Sequence, residues 1–337
     1  MKYFITGHTG FKGSWLVLLL RHLGHEVAGF SLEPHAKSLF QLAGLEADVT
    51  HHFIGDVRDK KLLREAIFEA NPDVGLHLAA QPLVLDSYLD PSETFSTNVS
   101  GTLNFLEAWI TEAEEKPALV ITTDKVYKDS GKRSYSEEDE LGGIDPYSAS
   151  KSMADILAQS WRHTYPGAQL GIARAGNVIG AFDHAANRLF PDLLRAHETE
   201  EPLVVRNPDS VRPWQHVLDC LNGYLLFLER IQSSGRQTPV ALNFGPDSDD
   251  FKSVQDVVEF SKSKLPGLRV ESAVSLSDPK ETQFLCLDSS KARSELGWTP
   301  KYDFFESATL SLAEREWRQN PRQLVEAQIS DFMEIRS

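Results

Sequence analysis

The stretch KYFITGHTGFKGSWL, from Lys2 to Leu16, decides the fold. A short apolar segment ends at Gly7, and two more glycines, Gly10 and Gly13, lead into an apolar helical pattern. A glycine-rich turn between a strand and a helix is typical of a dinucleotide-binding unit, although the spacing is G-x-x-G-x-x-G rather than G-x-G-x-x-G. The first glycine permits the tight turn, the second lets backbone approach a pyrophosphate, and the third lets helix and strand pack closely.

Short apolar strands and helical patterns alternate from this turn to about Gly176. The alternation predicts an α/β fold of the Rossmann-like, doubly wound type, with a parallel sheet covered on both faces. Predicted strands cover residues 2–7, 25–31, 51–56, 73–79, 117–123 and 168–176, and predicted helices cover 14–23, 60–70, 98–114 and 148–164. Later, less regular segments predict a smaller C-terminal α/β unit. We expect a dinucleotide-binding domain of residues 1–176 with about 213–244, and a substrate-binding domain of residues 177–212 and 245–337.

Composition excludes several classes of function. The chain has 337 residues and a net charge of −15, which argues against a nucleic-acid partner. The apolar run Trp15–Leu20 is far shorter than the roughly 20 residues of a membrane span, and a strand at the start of the chain leaves no room for a leader. Two cysteines, Cys220 and Cys286, fit a reducing compartment. We therefore expect a cytoplasmic protein without a membrane partner, and the histidines show no metal-site spacing.

The end of the second strand bears on the choice of cofactor. Ser31 stands where an acid usually marks NAD, and Glu33 follows two residues later. No arginine is present to accept a 2′-phosphate, although His35 and Lys37 are near, so NAD is favoured over NADP. After the third strand, Asp56 is expected to meet the adenine together with Val57, but a turn or helix-capping role explains Asp56 nearly as well.

The segment YSASK places Tyr147 four residues before Lys151 near the start of a long predicted helix. That spacing puts both side chains on one helix face. An ammonium beside a phenol stabilises the phenolate and is expected to lower the tyrosine pKa from about 10. The tyrosine can then remove an alcohol proton during hydride transfer.

Together these motifs resemble the extended short-chain dehydrogenase/reductase family. The resemblance covers nearly the whole chain through GHTGFKG, GDVRD, LHLAAQ, TNVSGT, YSASK and ELGWTP. Within the family the sequence is similar to the 4,6-dehydratases that act on CDP-glucose, through SLEPHAKSLF, TTDKVY, ARAGNVIG, NRLFPDLLRA and VRPWQHVL. The resemblance implies NAD as the cofactor. The residues expected to bind it are Gly7, Thr9, Gly10, Phe11, Lys12, Gly13, Ser31, Asp56, Val57, Leu78, Ala79, Ala80, Gln81, Asn98, Thr122, Tyr147 and Lys151.

The segment ITTDKVY, at the end of the fifth strand, distinguishes a dehydratase from other family members. Such an enzyme oxidises C4 of a hexose, eliminates water across C5 and C6, and returns the hydride to C6. The resemblance assigns Thr123 to the C4 oxygen alongside Tyr147, and assigns the elimination to Asp124 and Lys125. Lys125 is either a neutral amine that takes the C5 proton or an ammonium that polarises the ketone or the leaving oxygen. Asp124 would have to carry a proton to act as the acid.

The resemblance also implies a substrate site and an assembly. It places Asn177, Arg188, Leu189, Arg206 and Arg212 around the nucleotide sugar, where guanidinium groups suit a diphosphate. It further implies a homodimer formed by the helices predicted at residues 98–114 and 148–164. Two other interpretations stay open: a dehydratase or C4 epimerase for a GDP-, dTDP- or UDP-linked hexose, and a non-catalytic nucleotide sensor. The intact catalytic residues argue against the sensor.

Overall fold

The computed structural model describes residues 1–131, 134–272 and 284–335. The strands of these ranges are β1 Lys2–Thr6, β2 Glu26–Ser31, β3 His51–Ile54, β4 Val74–His77, β5 Ala118–Thr123, β6 Leu170–Ala175, β7 Val178–Ile179, β8 Leu203–Val205, β9 Val211–Arg212, β10 Gln215–His216, β11 Ala241–Phe244, β12 Lys252–Ser253 and β13 Val270–Ser272. The α-helices are α1 Phe11–His22, α2 Leu39–Leu42, α3 Lys60–Ala70, α4 Val84–Leu89, α5 Pro91–Phe95, α6 Gly101–Ala113, α7 Pro146–Thr164, α8 Leu189–Thr199, α9 Val217–Ser234, α10 Val254–Lys264, α11 Ser290–Leu296, α12 Phe304–Leu312, α13 Glu314–Trp317 and α14 Pro321–Glu334.

Seven strands form one parallel sheet in the order β11-β6-β5-β4-β1-β2-β3. The strand order reverses between β1 and β4, and in such sheets ligands bind outside the carboxyl ends of the strands at this point. The strands are mostly apolar because helices cover both faces of the sheet. The doubly wound α/β fold predicted from the sequence is confirmed.

Two apolar clusters sandwich the sheet. On one face α1, α9 and α14 contribute buried side chains that include Trp15, Leu221 and Phe332. On the other face α3, α6 and α7 pack against the strands, with Phe105 and Trp109 among the buried residues. Each cluster is continuous from strand to helix, so the position of each strand end is fixed by burial on both sides.

A third apolar cluster belongs to the C-terminal half of the chain. It joins α8, α10 and α12 to the short strand β8 through residues such as Leu193, Val257 and Phe304. Helix α14 does not belong to this cluster, because its Ile329 and Phe332 are buried with α1 on the sheet. The C-terminal segment therefore divides its packing between the smaller unit and the sheet.

Several elements lie outside the sequence-based assignment, among them the following four. Helices α4 and α5 fill the segment after β4, where Asp90 accepts a hydrogen bond from the Glu93 amide at 2.8 Å and Pro91 occupies the first turn. Helix α6 is preceded by a π-helical turn, Ser96–Ser100. Strand β11 extends the sheet beside β6, and its four buried residues are too few to show a period by themselves.

The glycine turn brings helix α1 against the end of β1. Gly7 has φ of +78°, a conformation that side chains disfavour. A Cβ atom on Gly13 would lie 2.1 Å from the Gly7 carbonyl oxygen and 2.6 Å from the His8 Cα. Since both obstacles are backbone atoms, a larger residue at position 13 would have to push the helix away from the strand.

We expect Gly13→Ala to lower the free energy of unfolding by about 2 kcal/mol or more, because the added methyl group overlaps fixed backbone. Chemical denaturation measures the change. Gly10→Ala is the matched control, since its Cβ would lie 3.4 Å from the Gly7 oxygen at an ordinary φ of −78°. Equal stability of the two variants would contradict the proposed overlap at Gly13.

Candidate functional site

A cavity of about 910 Å³ opens at the carboxyl ends of β1, β2, β4, β5 and β6. It also reaches the C-terminal unit at α8 and β8. The predicted site residues that line this cavity are Gly7, Thr9, Gly10, Phe11, Lys12, Gly13, Ser31, Asp56, Val57, Leu78, Ala79, Ala80, Gln81, Thr122, Thr123, Asp124, Lys125, Tyr147, Lys151, Asn177, Arg188, Leu189, Arg206 and Arg212.

Asn98 is the predicted site residue that does not line the cavity. Its side chain is buried, accepts a hydrogen bond from the Gln81 amide at 2.8 Å and donates one to the Gln81 carbonyl at 3.1 Å. It also donates to Ser150 on α7 at 2.9 Å. Asn98 thus supports the backbone of a cavity-lining residue instead of facing the cavity.

The glycine turn forms one end of the cavity. Gly10 caps α1 without a side-chain hydrogen bond, so backbone amides of the first turn are free of a side-chain cap. The hydroxyl groups of Thr9 and Ser31 lie 2.7 Å apart and join this turn to the end of β2. Glu33 and His35 are exposed at the same end and also line the cavity. This arrangement offers amides and a positive helix end to an anionic group.

Asp56 lines the cavity but is held in an ion pair. Its Oδ1 accepts hydrogen bonds from the Arg58 amide at 2.8 Å and from Arg58 Nε at 2.9 Å. The Arg58 side chain also pairs with Glu93 on α5. The hydrogen bond from Arg58 lowers the pKa of Asp56. The turn role considered from the sequence is therefore present in the structure, at a position that also borders the cavity.

Lys151 is buried in α7, where its amine meets a backbone carbonyl. Its Nζ donates to the Ile121 carbonyl at 2.8 Å, and the side chain is 6% exposed. Burial, aided by the positive charge of Lys12, lowers the pKa of Lys151 to about 8. The amine therefore changes protonation near neutral pH while lying on the wall of the cavity.

Tyr147 is buried one turn before Lys151, and its pKa is raised to about 12. Burial is the largest cause, and the negative charge of Asp124 adds to it. A hydrogen bond with Thr123 and the positive charge of Arg188 act in the opposite direction. The lowered tyrosine pKa expected from the Tyr-x-x-x-Lys spacing is wrong for this state, because the Lys151 amine binds a backbone carbonyl and burial dominates.

The polar residues after β5 form a connected group. Thr123 donates from Oγ1 to Asp124 Oδ1 at 2.8 Å, and Lys125 Nζ lies 3.6 Å from the same oxygen. Asp124 is 1% exposed, and its Oδ2 has no hydrogen-bond partner among the described residues. Lys125 is 26% exposed. A buried carboxylate oxygen without a partner is costly, so its position at a cavity wall suits an incoming proton or hydroxyl group.

A buried ion pair between β6 and α7 lies next to the polar residues at the end of β5. Arg174 on β6 donates to Asp155 Oδ1 at 2.7 Å and Oδ2 at 2.8 Å, and it also donates to the Tyr127 hydroxyl at 2.9 Å. Thr122 donates to Asp155 at 3.0 Å. None of the sequence motifs predicts this network. A charged residue inside an apolar strand was the available signal, because such a charge needs a partner.

The predicted substrate arginines differ in their surroundings. Arg188 pairs with Asp183 at 2.9 Å and is partly buried. Arg206 is exposed beside β8, where guanidinium donors remain accessible to a ligand. Arg212 is 6% exposed, and its Nη1 donates to the Val211 carbonyl at 2.8 Å. The structure brings all three to one cavity but leaves them with unequal freedom to bind an anion.

In residues 1–131, 134–272 and 284–335, no group of three or more His, Cys, Asp or Glu side chains is arranged to hold a metal ion. In the same residues, no helix is both long and apolar enough to cross a bilayer.

The fold and the Tyr-Lys pair define an extended short-chain dehydrogenase/reductase. The family model for GDP-mannose 4,6 dehydratase matches residues 4–309, and the chain belongs to that family. It is 40% identical to a CDP-glucose 4,6-dehydratase of Salmonella typhimurium, covering 98% of this chain and 96% of that protein. It is 30% identical to a dTDP-glucose 4,6-dehydratase of Xanthomonas campestris pv. campestris, covering 92% of each. Among solved structures, the dTDP-glucose 4,6-dehydratase DesIV of Streptomyces venezuelae, with NAD bound, aligns with a TM-score of 0.82 and 27% identity over 96% of this chain and all of that one.

We expect Lys151→Met to be more stable than the parent protein at pH 7, by up to about 3 kcal/mol, because an ammonium is no longer buried. The folded-state pKa of about 8 lies below the unfolded value, so the parent gains stability as pH rises from about 8 to 10.4. The advantage of the variant therefore shrinks over that window.

Urea denaturation at pH 7 and near pH 10 measures this difference. Lys128→Met, at an exposed lysine that pairs with Glu140 on the surface, is the matched control and should show no gain at pH 7. A Lys151→Met protein that is less stable than the parent at pH 7 would sink the argument that the buried ammonium is costly.

Proposed function

We propose that this protein is an NAD-dependent lyase that dehydrates CDP-glucose to CDP-4-keto-6-deoxyglucose. The observation that carries the proposal is the buried Asp124 with its neighbour Lys125, placed in one cavity with Tyr147 and Thr123. An oxidoreductase that only moves a hydride has no use for this second acid-base pair. The 40% identical relative, a CDP-glucose 4,6-dehydratase, supports the choice of substrate.

The residues present fit NAD. Gly7 and Gly13 let the turn pack directly on backbone, because a Cβ on Gly7 would lie 2.9 Å from the Ala79 amide nitrogen and one on Gly13 would overlap the turn, and this close packing brings the start of α1 to the cavity. The first turn of α1 offers amides for the pyrophosphate. At the adenosine end, Glu33 is an exposed acid on the cavity wall, which disfavours the 2′-phosphate of NADP. When bound, NAD supplies the acceptor and later the donor of the hydride.

Tyr147 and Thr123 act on the hydroxyl group at C4. Tyr147 accepts the proton that leaves this hydroxyl as C4 is oxidised. Because the product keeps the C4 ketone, this proton is released after the reaction and balances the proton that Asp124 gives to the departing hydroxyl group. The raised pKa of Tyr147 means that the phenolate must be stabilised once ligands fill the cavity, and the Thr123 hydroxyl, Arg188 and Lys151 are the groups available to do so. Lys151 contributes as an ammonium held by the Ile121 carbonyl.

Asp124 and Lys125 act at C5 and C6. The ketone at C4 acidifies the C5 proton, and loss of this proton expels the 6-hydroxyl group, which Asp124 protonates to water through its unpartnered oxygen. Lys125 serves the C5 side in one of two ways. It takes the proton as a neutral amine, while a protonated Asp124 supplies the proton of the departing water. Alternatively it remains an ammonium and stabilises the negative charge that develops on the ketone oxygen, and the Asp124 carboxylate then takes the C5 proton and passes it to the departing hydroxyl group.

The two roles of Lys125 separate in a pair of variants. Lys125→Ala removes both roles, so C4 oxidation survives, seen in the near-ultraviolet absorbance of the cofactor, while exchange of the C5 proton with deuterated solvent is lost. Lys125→Arg keeps a positive charge but cannot act as a base at accessible pH. Exchange in the arginine variant assigns the electrostatic role, and its absence assigns the base. Normal product formation by the alanine variant would remove Lys125 from the mechanism.

The identity of the nucleotide is tested with a panel of CDP-, dTDP-, GDP- and UDP-glucose. We expect a 4-keto-6-deoxy sugar, detected by its alkaline absorbance, from CDP-glucose. Product from another nucleotide alone would overturn the CDP assignment and support the second candidate, a sister dehydratase, which the 30% identical dTDP-glucose 4,6-dehydratase makes worth testing. Conversion to a C4 epimer without water loss would overturn the dehydratase assignment itself.

Within this proposal the chain divides its ligands between two regions. NAD is held by residues 1–176 with about 213–244, and the nucleotide sugar by residues 177–212 and 245–337. The apolar cluster around α8, α10 and α12 supports a separate substrate-binding unit. The chain has only two cysteines, too few for a disulfide framework, and this supports a cytoplasmic location, where thiols stay reduced.

We also propose a homodimer that buries α7. Met153 and Ile156 on this helix are 47% and 53% exposed, and Leu89 on the neighbouring α4 is 85% exposed. Large apolar side chains grouped on one helical face are typical of an interface. A second copy of the chain would cover them and extend the apolar packing of the helices beneath.

The double variant Met153→Glu, Ile156→Glu is expected to be a monomer, because four carboxylates would face each other across the interface. Light scattering coupled to gel filtration measures the mass. Ile335→Glu, at an exposed apolar residue after α14, is the control and should leave the dimer intact. A parent protein of monomeric mass, or a dimeric double variant, would refute this interface.

A further inference from the structure

The segment after β7 is fastened by two distant hydrogen bonds. The Phe182 amide donates to Glu314 Oε2 at 2.6 Å, and the Trp15 indole donates to the Ala181 carbonyl at 3.0 Å. Phe182 has φ of +64°, which bulky residues seldom adopt. Such a conformation persists when the surroundings impose it, and it is concentrated at functional sites.

Glu314 is unusual among the acidic residues of the C-terminal helices. It lies on α13, is 6% exposed, and reaches back to a backbone amide 132 residues earlier in the chain. Burial raises the pKa of Glu314 to about 7, and the negative charge of Asp183 adds to the shift. Burying a carboxyl group in these surroundings costs free energy of folding. We therefore expect its hydrogen bond with the Phe182 amide to have a role other than packing.

Asp183, the residue after Phe182, connects this segment to Arg188. Asp183 is 8% exposed; its Oδ1 accepts from the Ala185 amide at 3.1 Å, and its Oδ2 pairs with Arg188 at 2.9 Å. Arg188 and Asp183 both line the cavity. The positive charge of Arg188 also acts on Tyr147, where it favours the phenolate.

We propose that Glu314 is a positioning residue: by holding the Phe182 backbone it aims Asp183 at Arg188, and thereby sets the guanidinium beside Tyr147 and the substrate. The inference rests on the proposed function, and it adds to that function a part of the chain outside the cavity. Glu314 is not among the residues that line the cavity. Its effect passes through one amide, one carboxylate and one guanidinium, all fixed by the contacts above.

A pair of variants of similar volume isolates the hydrogen bond. Glu314→Gln keeps an oxygen that accepts from the Phe182 amide, whereas Glu314→Met keeps the bulk and loses the acceptor. We expect the methionine variant to lose about 10- to 100-fold in kcat/KM for the nucleotide sugar, since a small misplacement of a binding group has effects of this size. The glutamine variant should stay near the parent value. Glu316→Ala, at an exposed neighbour on α13, should match the parent.

The pH profile separates positioning from simple structural damage. The charges that act on Tyr147 come from Asp124 and Asp145, which raise its pKa, and from Arg188, which lowers it. If Arg188 is no longer held near Tyr147, the pKa of Tyr147 rises. The limb of the pH–activity profile on which activity increases with phenolate formation then moves to higher pH in Glu314→Met and not in Glu314→Gln. A variant that is merely less stable would lose activity without moving this limb.

Three outcomes decide the matter. An unshifted limb and an unchanged KM in a folded Glu314→Met protein would overturn the positioning role. Should that protein not fold, Asp183→Ala tests the same route and must show the same shift in the pH limb, or the proposal fails. If the parent enzyme converts no nucleotide-glucose, the proposed function is wrong, and this result is distinct from failure of the positioning role. In that case calorimetric binding of CDP still tests the placement of Arg188. Weaker binding by Glu314→Met, and not by Glu314→Gln, would support it.

Discussion

The contact between Gly13 and the Gly7 carbonyl is the constraint on which the molecule depends. Because no side chain separates helix α1 from the end of β1, the first turn of that helix begins at the mouth of the sheet. In this position, α1 lets Lys12 donate a hydrogen bond to the Tyr224 hydroxyl at 3.2 Å and lets the Trp15 indole donate one to the Ala181 carbonyl. One close approach thus sets the anion-binding end of the cavity and one anchor of the substrate side.

The second organising feature is how completely the buried charged groups near the carboxyl ends of β5 and β6 are paired. Arg174 has a bidentate carboxylate, so its charge is fully paired. Within the part of the chain that the structure describes, Lys151 donates to a carbonyl and has no carboxylate, and Asp124 keeps one oxygen without a hydrogen bond. The fully paired group is structural, whereas the incompletely paired groups border the cavity. This gradient from satisfied to unsatisfied polar groups is expected where ligands complete the hydrogen bonding.

Much of the fold could be predicted because periodicity reports burial directly. Strands β1 to β6 are short apolar runs, and α3 and α7 have regular apolar spacing, so their positions followed within a few residues. The directions in which buried side chains point were harder to predict. Asn98 was predicted to meet the cofactor but supports Gln81, since spacing does not reveal which way a buried amide points. The pKa of Tyr147 was predicted in the wrong direction because depth of burial depends on α4 and α5, which carry no strong pattern.

The hydroxyl of Thr123 couples the two halves of the proposed chemistry. It carries one proton, which it donates to Asp124 Oδ1 at 2.8 Å, so toward Tyr147 it can only accept. While Tyr147 is the phenolate that takes the C4 proton, that same Thr123 proton is its nearest donor. In the proposed reaction, oxidation at C4 leaves Tyr147 a neutral phenol, so the Thr123 proton stays with Asp124 while the 6-hydroxyl group departs. One hydroxyl group thereby links the residue proposed to act at C4 to the residue proposed to act at C6.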